Sequence, residues 1–275
     1  MTRLISEWVL NMPDTIKKYD NDLKATIGLN LKELAFDAVG ALKANGMRTG
    51  ENINSTLKNR KVAVIRSNTG QGVIQGFDEA IACILRQIGV ESFTCKDENV
   101  AGIFEAHVRG ADIVFMADDD RYIAFNTKEN IIAENDYCTT LGFTTVLEKM
   151  ANGLKDKDIA LLGYGRLGKQ AAKHLFKKGG NVYVYDKKTM ESNISKSEGS
   201  SVCGVINNSG DIFNYKYIYD VTNEGGWLDT KNLKNSCYVS PGIPLSLRLD
   251  ELDDSNVIWY DKLQIGTAVM LAHVL

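Results

Sequence analysis

The chain has 275 residues, a length that suits two modest domains, and its 44% hydrophobic and 24% charged residues are typical of a globular protein. Its 32 basic and 35 acidic residues leave a net charge of −3, which argues against a nucleic-acid-binding surface and a polybasic membrane anchor. No apolar run approaches the roughly 18–20 residues that span a bilayer, and residues 1–20 lack a signal-peptide core, so we expect a cytoplasmic protein that binds neither nucleic acid nor membrane.

The first half of the chain is predicted to begin with helices and to continue as an α/β lobe. Apolar residues recur at helical spacing within residues 1–45, whereas the polar residues 46–60 predict a loop. Strands and helices then alternate, which predicts a parallel sheet covered on both faces. The predicted elements are a strand at Val62–Ile65, a helix striped from Ile74 to Ile88, a strand at Ser92–Thr94, a helix at Val100–Arg109 and a strand at Asp112–Ala117.

The second half repeats this alternation. A helix over Cys138–Leu154 is predicted to connect two lobes, and Asp158–Leu162 starts a second βαβ series. Residues Thr267–Leu275 predict a C-terminal helix that packs back on the body. The remaining strands are predicted at Val182–Tyr185, Tyr217–Val221, Cys237–Val239 and Val257–Tyr260.

Residues 163–168 form a complete Gly-x-Gly-x-x-Gly motif between an apolar strand and an amphipathic helix. Gly163 would make the tight turn, Gly165 would let the backbone approach a pyrophosphate, and Gly168 would permit close helix–strand packing. The N–H groups at the helix start would hold the phosphates. In this context the motif predicts a Rossmann-type domain that binds NAD.

The next predicted strand ends in Asp186, 18 residues beyond Gly168. An acidic residue near that position accepts hydrogen bonds from the adenosine ribose and repels a 2′-phosphate, which favours NAD over NADP. Lys187 and Lys188 follow immediately and could bind such a phosphate, so a strict preference for NAD stays open.

Two later loops follow strands of the same predicted sheet, at the edge where a nicotinamide would bind. The first contains Thr222 and Asn223. The second, Ser240–Pro244, holds two of the chain's three prolines and is either a rigid loop against the cofactor or a purely structural turn. The residues expected to contact NAD are Gly163, Tyr164, Gly165, Arg166, Leu167, Gly168, Asp186, Thr222, Asn223, Ser240, Pro241 and Gly242.

Two features of the first lobe are candidates for binding a substrate. The turn Ser67–Gly72 fits either a small-anion site, such as one for a carboxylate, or a plain strand–helix connection. Asp118, Asp119 and Asp120 end the third strand. A charge run is usually solvated, which we expect for the last two, whereas Asp118 would face the cleft between the lobes and attract an ammonium group. An amino-acid-like small molecule fits this pairing.

The histidines and cysteines exclude other chemistry. His107 and His174 are predicted on helices and His273 lies third from the end, so we expect no catalytic histidine. A hydroxy-acid dehydrogenase needs such a base, whereas a deprotonated amine supplies its own lone pair. The five scattered cysteines form no Cys-x-x-Cys pair, which predicts free thiols and no metal site.

Several segments together resemble the pyrrolysine-biosynthesis dehydrogenases, the pyrrolysine synthase (PylD) family. They are Met116–Asp119, Asn126, the glycine motif, Ser240–Pro244 and Ile265–Met270, and the resemblance extends to the N-terminus with Leu4. It implies a homodimer that uses NAD to oxidise the terminal amine of lysine-Nε-3-methylornithine to an imine. Loss of ammonia and ring closure would then give pyrrolysine.

The resemblance also implies roles for single residues. Asp118 would contact the substrate amine and be the catalytic residue, and Leu4 would contact the substrate from a mobile N-terminal helix. Thr69, Gly70 and Gly72 would belong to the substrate-side turn. Asp261 stands where the family pattern has glutamate, so whether its contact with the substrate is direct, water-bridged or absent stays open.

The fold class is therefore α/β, with an N-terminal helical segment plus a βαβ lobe, followed by a Rossmann NAD-binding lobe and a C-terminal helix. The expected domains are residues 1–136, a connecting helix 137–154, the Rossmann domain 155–262 and the C-terminal helix 263–275. Two alternatives stay open. One is another NAD-dependent amino-acid or imino-acid dehydrogenase, and the other is a non-catalytic NAD-sensing protein.

Overall fold

The computed structural model describes residues 12–40, 50–68, 76–187, 201–242 and 244–275. The chain divides into two compact units. The first contains Met1–Thr139 and Leu263–Leu275, and the second contains Thr140–Lys262. No helix in the described ranges is long and apolar enough to cross a membrane.

The first unit contains helices at both ends of its sequence and a five-stranded sheet. A further helix, α6 (Asn135–Met150), starts in this unit and continues into the second. The other elements are α1 (Met12–Ile27), α2 (Leu31–Ala38), α3 (Gly50–Lys58), β1 (Lys61–Arg66), α4 (Phe77–Ile88), β2 (Glu91–Glu98), α5 (Asn99–Val108), β3 (Ile113–Ala117), β4 (Tyr122–Asn126), β5 (Ile131–Glu134) and α8 (Gln264–Val274).

The sheet of the first unit is mixed, in the order β2-β1-β3-β4-β5. Strands β2, β1 and β3 are parallel, but β3, β4 and β5 pair antiparallel. The prediction of a wholly parallel sheet was therefore wrong for its second half. Only four residues, 118–121, separate β3 from β4, and a connection that short permits a hairpin but no crossover.

A helix occupies most of the segment that was predicted as a loop. Residues 46–60 are polar, yet α3 spans Gly50–Lys58. Ile53 and Leu57 lie four residues apart, and both are buried, so one narrow apolar stripe anchors the helix. That i, i+4 pair was the only signal, and the surrounding polar residues obscured it.

The C-terminal helix α8 packs on the first unit, as predicted. It contacts α2, α4, β4 and β5, and ten of its eleven residues are buried. Helix α5 instead contacts β1 and β2, where Ala106 joins a cluster with Ala63, Ile65 and Val114.

The second unit has the predicted Rossmann fold. Its six parallel strands lie in the order β11-β10-β9-β6-β7-β8, which in chain order is the doubly wound arrangement 3-2-1-4-5-6. Short 3-10 helices at Ser209–Asn214, Thr230–Asn232 and Leu249–Glu251 precede β9, β10 and β11. The other elements are β6 (Asp158–Leu162), α7 (Arg166–Lys177), β7 (Asn181–Tyr185), β8 (Gly204–Val205), β9 (Tyr217–Asp220), β10 (Cys237–Ser240) and β11 (Val257–Tyr260).

The five cysteines are free thiols, and Cys95, Cys138 and Cys237 are buried. Burial raises the pKa of Cys95 to about 11 and that of Cys138 to about 12. These thiols are therefore protonated at neutral pH and pack as small apolar groups.

Candidate functional site

The glycine-rich motif forms the turn from β6 into α7. Gly163 has a φ of +90°, which favours glycine, and its N–H donates to the carbonyl of Tyr185 at 2.8 Å. A Cβ at this position would lie 3.3 Å from Cγ2 of Thr222. The chain therefore makes a tight turn at the end of β6, between β7 and β9, the two strands that flank β6 in the sheet.

The other two glycines of the motif differ in what surrounds them. A Cβ at Gly168 would lie 2.1 Å from the carbonyl oxygen of Gly163, whereas a Cβ at Gly165 would meet no protein atom within 4 Å. Gly168 is therefore required by the packing of α7 on the turn. Gly165 leaves its backbone accessible, as close approach of a pyrophosphate requires.

The start of α7 suits an anionic ligand. Gly165 is its N-cap and supplies no side-chain hydrogen bond, and the first turn contains no acidic residue. The first N–H groups of a helix point along its axis and carry partial positive charge. The residues present thus fit the pyrophosphate of a dinucleotide.

Asp186 lies directly beside this turn. Its Oδ2 accepts a hydrogen bond from the N–H of Tyr164 at 2.6 Å, so the end of β7 is tied to the glycine-rich loop. Lys187 extends to Glu224, with Nζ and Oε2 2.7 Å apart, and its ammonium lies 5.5 Å from the ring centre of Trp227. Lys188 lies outside the described residues.

A buried polar network holds the loop after β9, and sequence reasoning missed it. Asp220 is 1% exposed, and its Oδ1 accepts hydrogen bonds from the N–H and the hydroxyl of Thr222 at 2.8 and 2.7 Å. The hydroxyl of Tyr238 donates to Oδ2 of Asp220 and lies 3.0 Å from Oγ of Ser246. Burial, together with the carboxylate of Asp220, raises the pKa of Tyr238 well above its usual value. The network thus fixes Thr222 beside Gly163.

The proline-containing loop packs against the segment that follows Thr222. A Cβ at Gly225 would lie 2.8 Å from Cβ of Pro244, and the N–H of Gly226 donates to the carbonyl of Leu245 at 2.9 Å. Ser240, at the end of β10, is buried and donates through Oγ to the carbonyl of Gly242 at 3.4 Å.

The residues predicted to contact NAD follow strands β6, β7, β9 and β10 at the carboxyl edge of one sheet. Asn223 is exposed there, whereas Thr222, Pro241 and Gly242 are half-buried. Asp261, predicted to contact substrate, follows β11 at the same edge and is buried.

Asp118 opens the hairpin loop between β3 and β4 in the first unit. Its Oδ1 accepts hydrogen bonds from the N–H of Asp120 at 2.9 Å and of Arg121 at 2.8 Å. The hydrogen bond from Arg121, followed by that from Asp120, lowers the pKa of the carboxyl. The exposed side chain is therefore an anion at neutral pH, and it also stabilises the turn.

Other residues behind the family resemblance have packing roles. Asn126 is fully buried, its amide donates to the carbonyl of Val274 at 2.7 Å, and its oxygen accepts from the N–H groups of Lys128 and Glu129 at 3.1 Å. A Cβ at Gly266 would lie 2.4 Å from Oγ1 of Thr139. These contacts join α8 to the sheet and to α6.

The predicted substrate-side residues Leu4, Thr69, Gly70 and Gly72 lie outside the described residues. The structure describes the residues on either side of this segment. Asn68 exchanges hydrogen bonds with Asn99, and Asp78 in the first turn of α4 lies 3.5 Å from Nε of Arg66. Asp78 is 3% exposed, and desolvation, together with Glu79, raises its pKa to about 7. The sequence around Asp78 gave no indication that this carboxyl is buried and has a raised pKa.

The three histidines lie within helices. His107 is in α5, His174 in α7 and His273 in α8. Burial lowers the pKa of His273. Among the described residues, no group of three or more His, Cys, Asp or Glu side chains could hold a metal ion.

A Rossmann-order sheet with a glycine-rich strand–helix turn, in a chain with a second α/β unit, defines a dehydrogenase-type fold. The shikimate 5-dehydrogenase of Thermus thermophilus, solved with shikimate, has a TM-score of 0.50 and 15% identity over 78% of this chain and 90% of its own. The quinate dehydrogenase of Corynebacterium glutamicum, solved with NAD, has a TM-score of 0.49 and 11% identity over 78% of this chain and 94% of its own.

The sequence comparisons are more specific than the fold. Residues 9–133 match the family described as pyrrolysine biosynthesis protein PylD, N-terminal domain. Pyrrolysine synthases from Methanosarcina barkeri (strain Fusaro) and Methanosarcina acetivorans are 27% and 28% identical to the whole chain, over 98% and 100% of their own lengths. The resemblance to the pyrrolysine synthase family is therefore confirmed.

Proposed function

We propose that this protein is an NAD-dependent dehydrogenase of pyrrolysine biosynthesis that oxidises the terminal amine of lysine-Nε-3-methylornithine. The observation that carries the proposal is the turn from β6 into α7. Two of its glycines are required by its own geometry, and the third leaves the backbone accessible at an uncapped helix start. The full-length similarity to pyrrolysine synthases supports the choice of substrate.

The cofactor preference follows from charges at the end of β7. The carboxylate of Asp186, bonded to the loop through Tyr164, would accept a ribose hydroxyl and repel a 2′-phosphate. Lys187 is paired with Glu224, which makes its ammonium group less available to bind a phosphate. We therefore propose NAD in preference to NADP, with Thr222 held by Asp220 near the nicotinamide.

The amine would be oriented by Asp118. Hydrogen bonds from Arg121 and Asp120 keep its carboxyl ionised, so it attracts an ammonium group. Bound NAD would supply the hydride acceptor for the carbon that carries the amine. The ammonium group first releases a proton to solvent, and the deprotonated amine then provides the lone pair for the C=N bond, which is consistent with histidines placed within helices. Water then adds to the imine, ammonia leaves, and the α-amino group condenses with the resulting aldehyde to close the ring with loss of water.

One experiment tests both halves of the proposal. Calorimetry should show that NAD binds more tightly than NADP. Incubation with NAD and methylornithinyl-lysine should produce NADH and, by mass spectrometry, the ring-closed product. Alanine, glutamate and saccharopine serve as alternative substrates, and NADH formation with one of these alone would identify a different amino-acid dehydrogenase. NAD binding without turnover of any amine would favour a sensing protein.

The role of Asp118 can be separated from its role in the turn. Asp118→Asn keeps an Oδ1 acceptor for the two backbone N–H groups but removes the charge, so we expect a loss of turnover of about 100-fold or more with unchanged NAD affinity. Asp253→Asn is the matched control, because Asp253 also accepts from a nearby backbone N–H, that of Ser255 at 2.8 Å, and is exposed. Wild-type turnover by Asp118→Asn would refute the assigned role.

A further inference from the structure

Lys187 directly follows Asp186, the residue proposed to accept a hydroxyl of the adenosine ribose. A basic side chain close to this acidic position is what accommodates the 2′-phosphate in NADP-binding Rossmann folds. In this protein the ammonium group already has partners, because it lies 2.7 Å from Oε2 of Glu224 and 5.5 Å from the ring centre of Trp227. The first distance is that of an ion pair, and the second is that of a cation–π contact. Two groups that follow β9 in the chain therefore hold this lysine.

The ring of Trp227 is itself fixed by two further contacts. It stacks on Tyr185, the last residue of β7, with ring centres 5.4 Å apart and 19° between the ring planes. Its Nε1–H donates to Oγ1 of Thr222 at 3.3 Å, and that hydroxyl donates in turn to the buried Asp220. The ring therefore offers Lys187 a surface that is held in place from both β7 and β9.

The backbone that carries Glu224 is also restrained. A Cβ at the next residue, Gly225, would lie 2.8 Å from Cβ of Pro244. Gly226 has a φ of +64° and donates its N–H to the carbonyl of Leu245 at 2.9 Å. Exposed ion pairs are weak partly because two flexible side chains lose freedom when they meet. Here the backbone of the acidic partner is already ordered, so less freedom is lost when the pair forms.

We propose that Glu224 is a specificity-determining residue, which holds Lys187 against the ring of Trp227 and away from the 2′-phosphate of NADP. This inference rests on the proposed binding of NAD at the turn from β6 into α7. NAD has a hydroxyl where NADP has the phosphate, so it does not need the lysine. NADP would bring its phosphate towards the carboxylates of Asp186 and Glu224 while the ammonium group is already paired, and like charges repel. Two acidic residues on different loops thus exclude NADP, one by its own charge and one mainly by occupying a cation.

The affinities of variants for both dinucleotides test the proposal. Glu224→Gln keeps the size of the side chain but removes its charge, so NADP should bind about 5- to 10-fold more tightly than to the wild type, because a free ammonium group binds phosphate. The Kd for NAD should change less than about twofold. Glu91→Gln is the matched control, because Glu91 is also an exposed glutamate paired with a lysine, Lys61 at 3.2 Å, in the first unit. It should leave both affinities unchanged. Calorimetry measures the Kd for NAD, and displacement of NAD by NADP gives the Kd for NADP where direct binding is weak.

A double-mutant cycle separates the release of Lys187 from the mere loss of a negative charge. Lys187→Met in the wild type should change the Kd for NADP less than about twofold, because the ammonium group is already paired. In the Glu224→Gln background the same substitution should remove the gain. If Glu224→Gln leaves NADP affinity unchanged, or if its gain survives Lys187→Met, the inference is wrong, while NAD binding by the wild type still supports the proposed function. A wild type that binds neither dinucleotide, or that prefers NADP, overturns the proposed cofactor and this inference together.

Discussion

Two glycine-rich segments lie between a strand and a helix, and the helices that follow them differ in charge. The turn from β6 enters α7 without a side-chain cap and without an acidic residue in the first helical turn. Helix α4, which follows β1 in the chain, has Gly76 as its N-cap, and its first turn contains Asp78 and Glu79. The N-terminus of α7 is left to an anionic ligand, whereas α4 has its own carboxylates beside its positive end.

This difference weighs against a substrate carboxylate at the turn after β1. The pattern Ser67–Gly72 fitted a small-anion site, but an incoming carboxylate would approach Asp78 and Glu79. Arg66, a cation at the end of β1, already lies 3.5 Å from Asp78. Two glycine-rich segments can thus look alike in sequence while the first turns of the helices that follow them differ in charge.

The largest expected effect concerns the glycine that packs the nucleotide turn. Gly168→Ala would place a Cβ 2.1 Å from a backbone carbonyl that no rotamer change can move. We expect a loss of stability at or above the upper end of the ~1–3 kcal/mol typical of overpacking, together with loss of NAD binding. Thermal unfolding and calorimetry measure both.

Gly165→Ala is the partner experiment, because a Cβ there meets no protein atom. Its stability should stay within about 0.5 kcal/mol of wild type, while NAD affinity falls. If Gly165→Ala binds NAD normally, the backbone at that position does not approach the pyrophosphate. The proposal that Gly165 serves cofactor binding while Gly168 serves packing would then be wrong.

A smaller effect is expected where the first unit uses a glycine for packing alone. Gly266→Ala brings a Cβ 2.4 Å from Oγ1 of Thr139 and 2.8 Å from Oδ1 of Asn135. These are side-chain atoms that can shift, so we expect a cost of about 1–2 kcal/mol with unchanged NAD affinity. Gly210→Ala, where a Cβ meets nothing, should unfold like wild type. A Gly266→Ala protein of full stability would contradict close α8–α6 packing.

Sequence predicted the second unit better than the first for a physical reason. The Rossmann unit follows from strictly local signals, namely alternating strands and helices and a motif of six residues. The hairpins of the first unit were not predicted, because their central strand, Tyr122–Asn126, directly follows a charged loop. Ile53 and Leu57 were too few apolar residues to reveal α3.

The candidate site was predictable only where a sequence motif fixes both the residue types and their spacing along the chain. The glycine motif and Asp186 are of this kind. The Asp220–Tyr238 hydrogen bond was not, because no motif relates these two residues, which meet only through the pairing of neighbouring strands. Asn126 and Gly266 belong to the family resemblance, yet their contacts are with the chain itself. Residues shared with the family therefore include some that serve packing and some that serve function, and only their contacts in the structure distinguish the two groups.

The last test concerns the carboxylates that distinguish α4 from α7. The pKa of Asp78 is raised to about 7 from 3.8, mainly by desolvation, so the folded protein keeps this carboxyl protonated at pH values where the unfolded chain has ionised it. Stability should therefore fall as the pH rises through this interval, up to the folded pKa, and stay level above it. Asp78 would contribute a slope of at most about 1.4 kcal/mol per pH unit.

Asp78→Asn cannot ionise, so between pH 5 and 7 its free energy of unfolding should change less with pH than that of the wild type. Glu79→Gln is the control. Hydrogen bonding to Asp78 lowers the pKa of Glu79 from 4.5, so Glu79 itself does not titrate between pH 5 and 7, and its substitution removes only its own share in raising the pKa of Asp78. Because desolvation is the largest cause of that rise, the slope between pH 5 and 7 should become smaller but should not disappear. Denaturant unfolding at several pH values measures the three slopes. If the free energies of unfolding of Asp78→Asn and wild type change with pH in the same way, the carboxyl of Asp78 ionises normally. The first turns of α4 and α7 would then differ less than the burial of Asp78 implies.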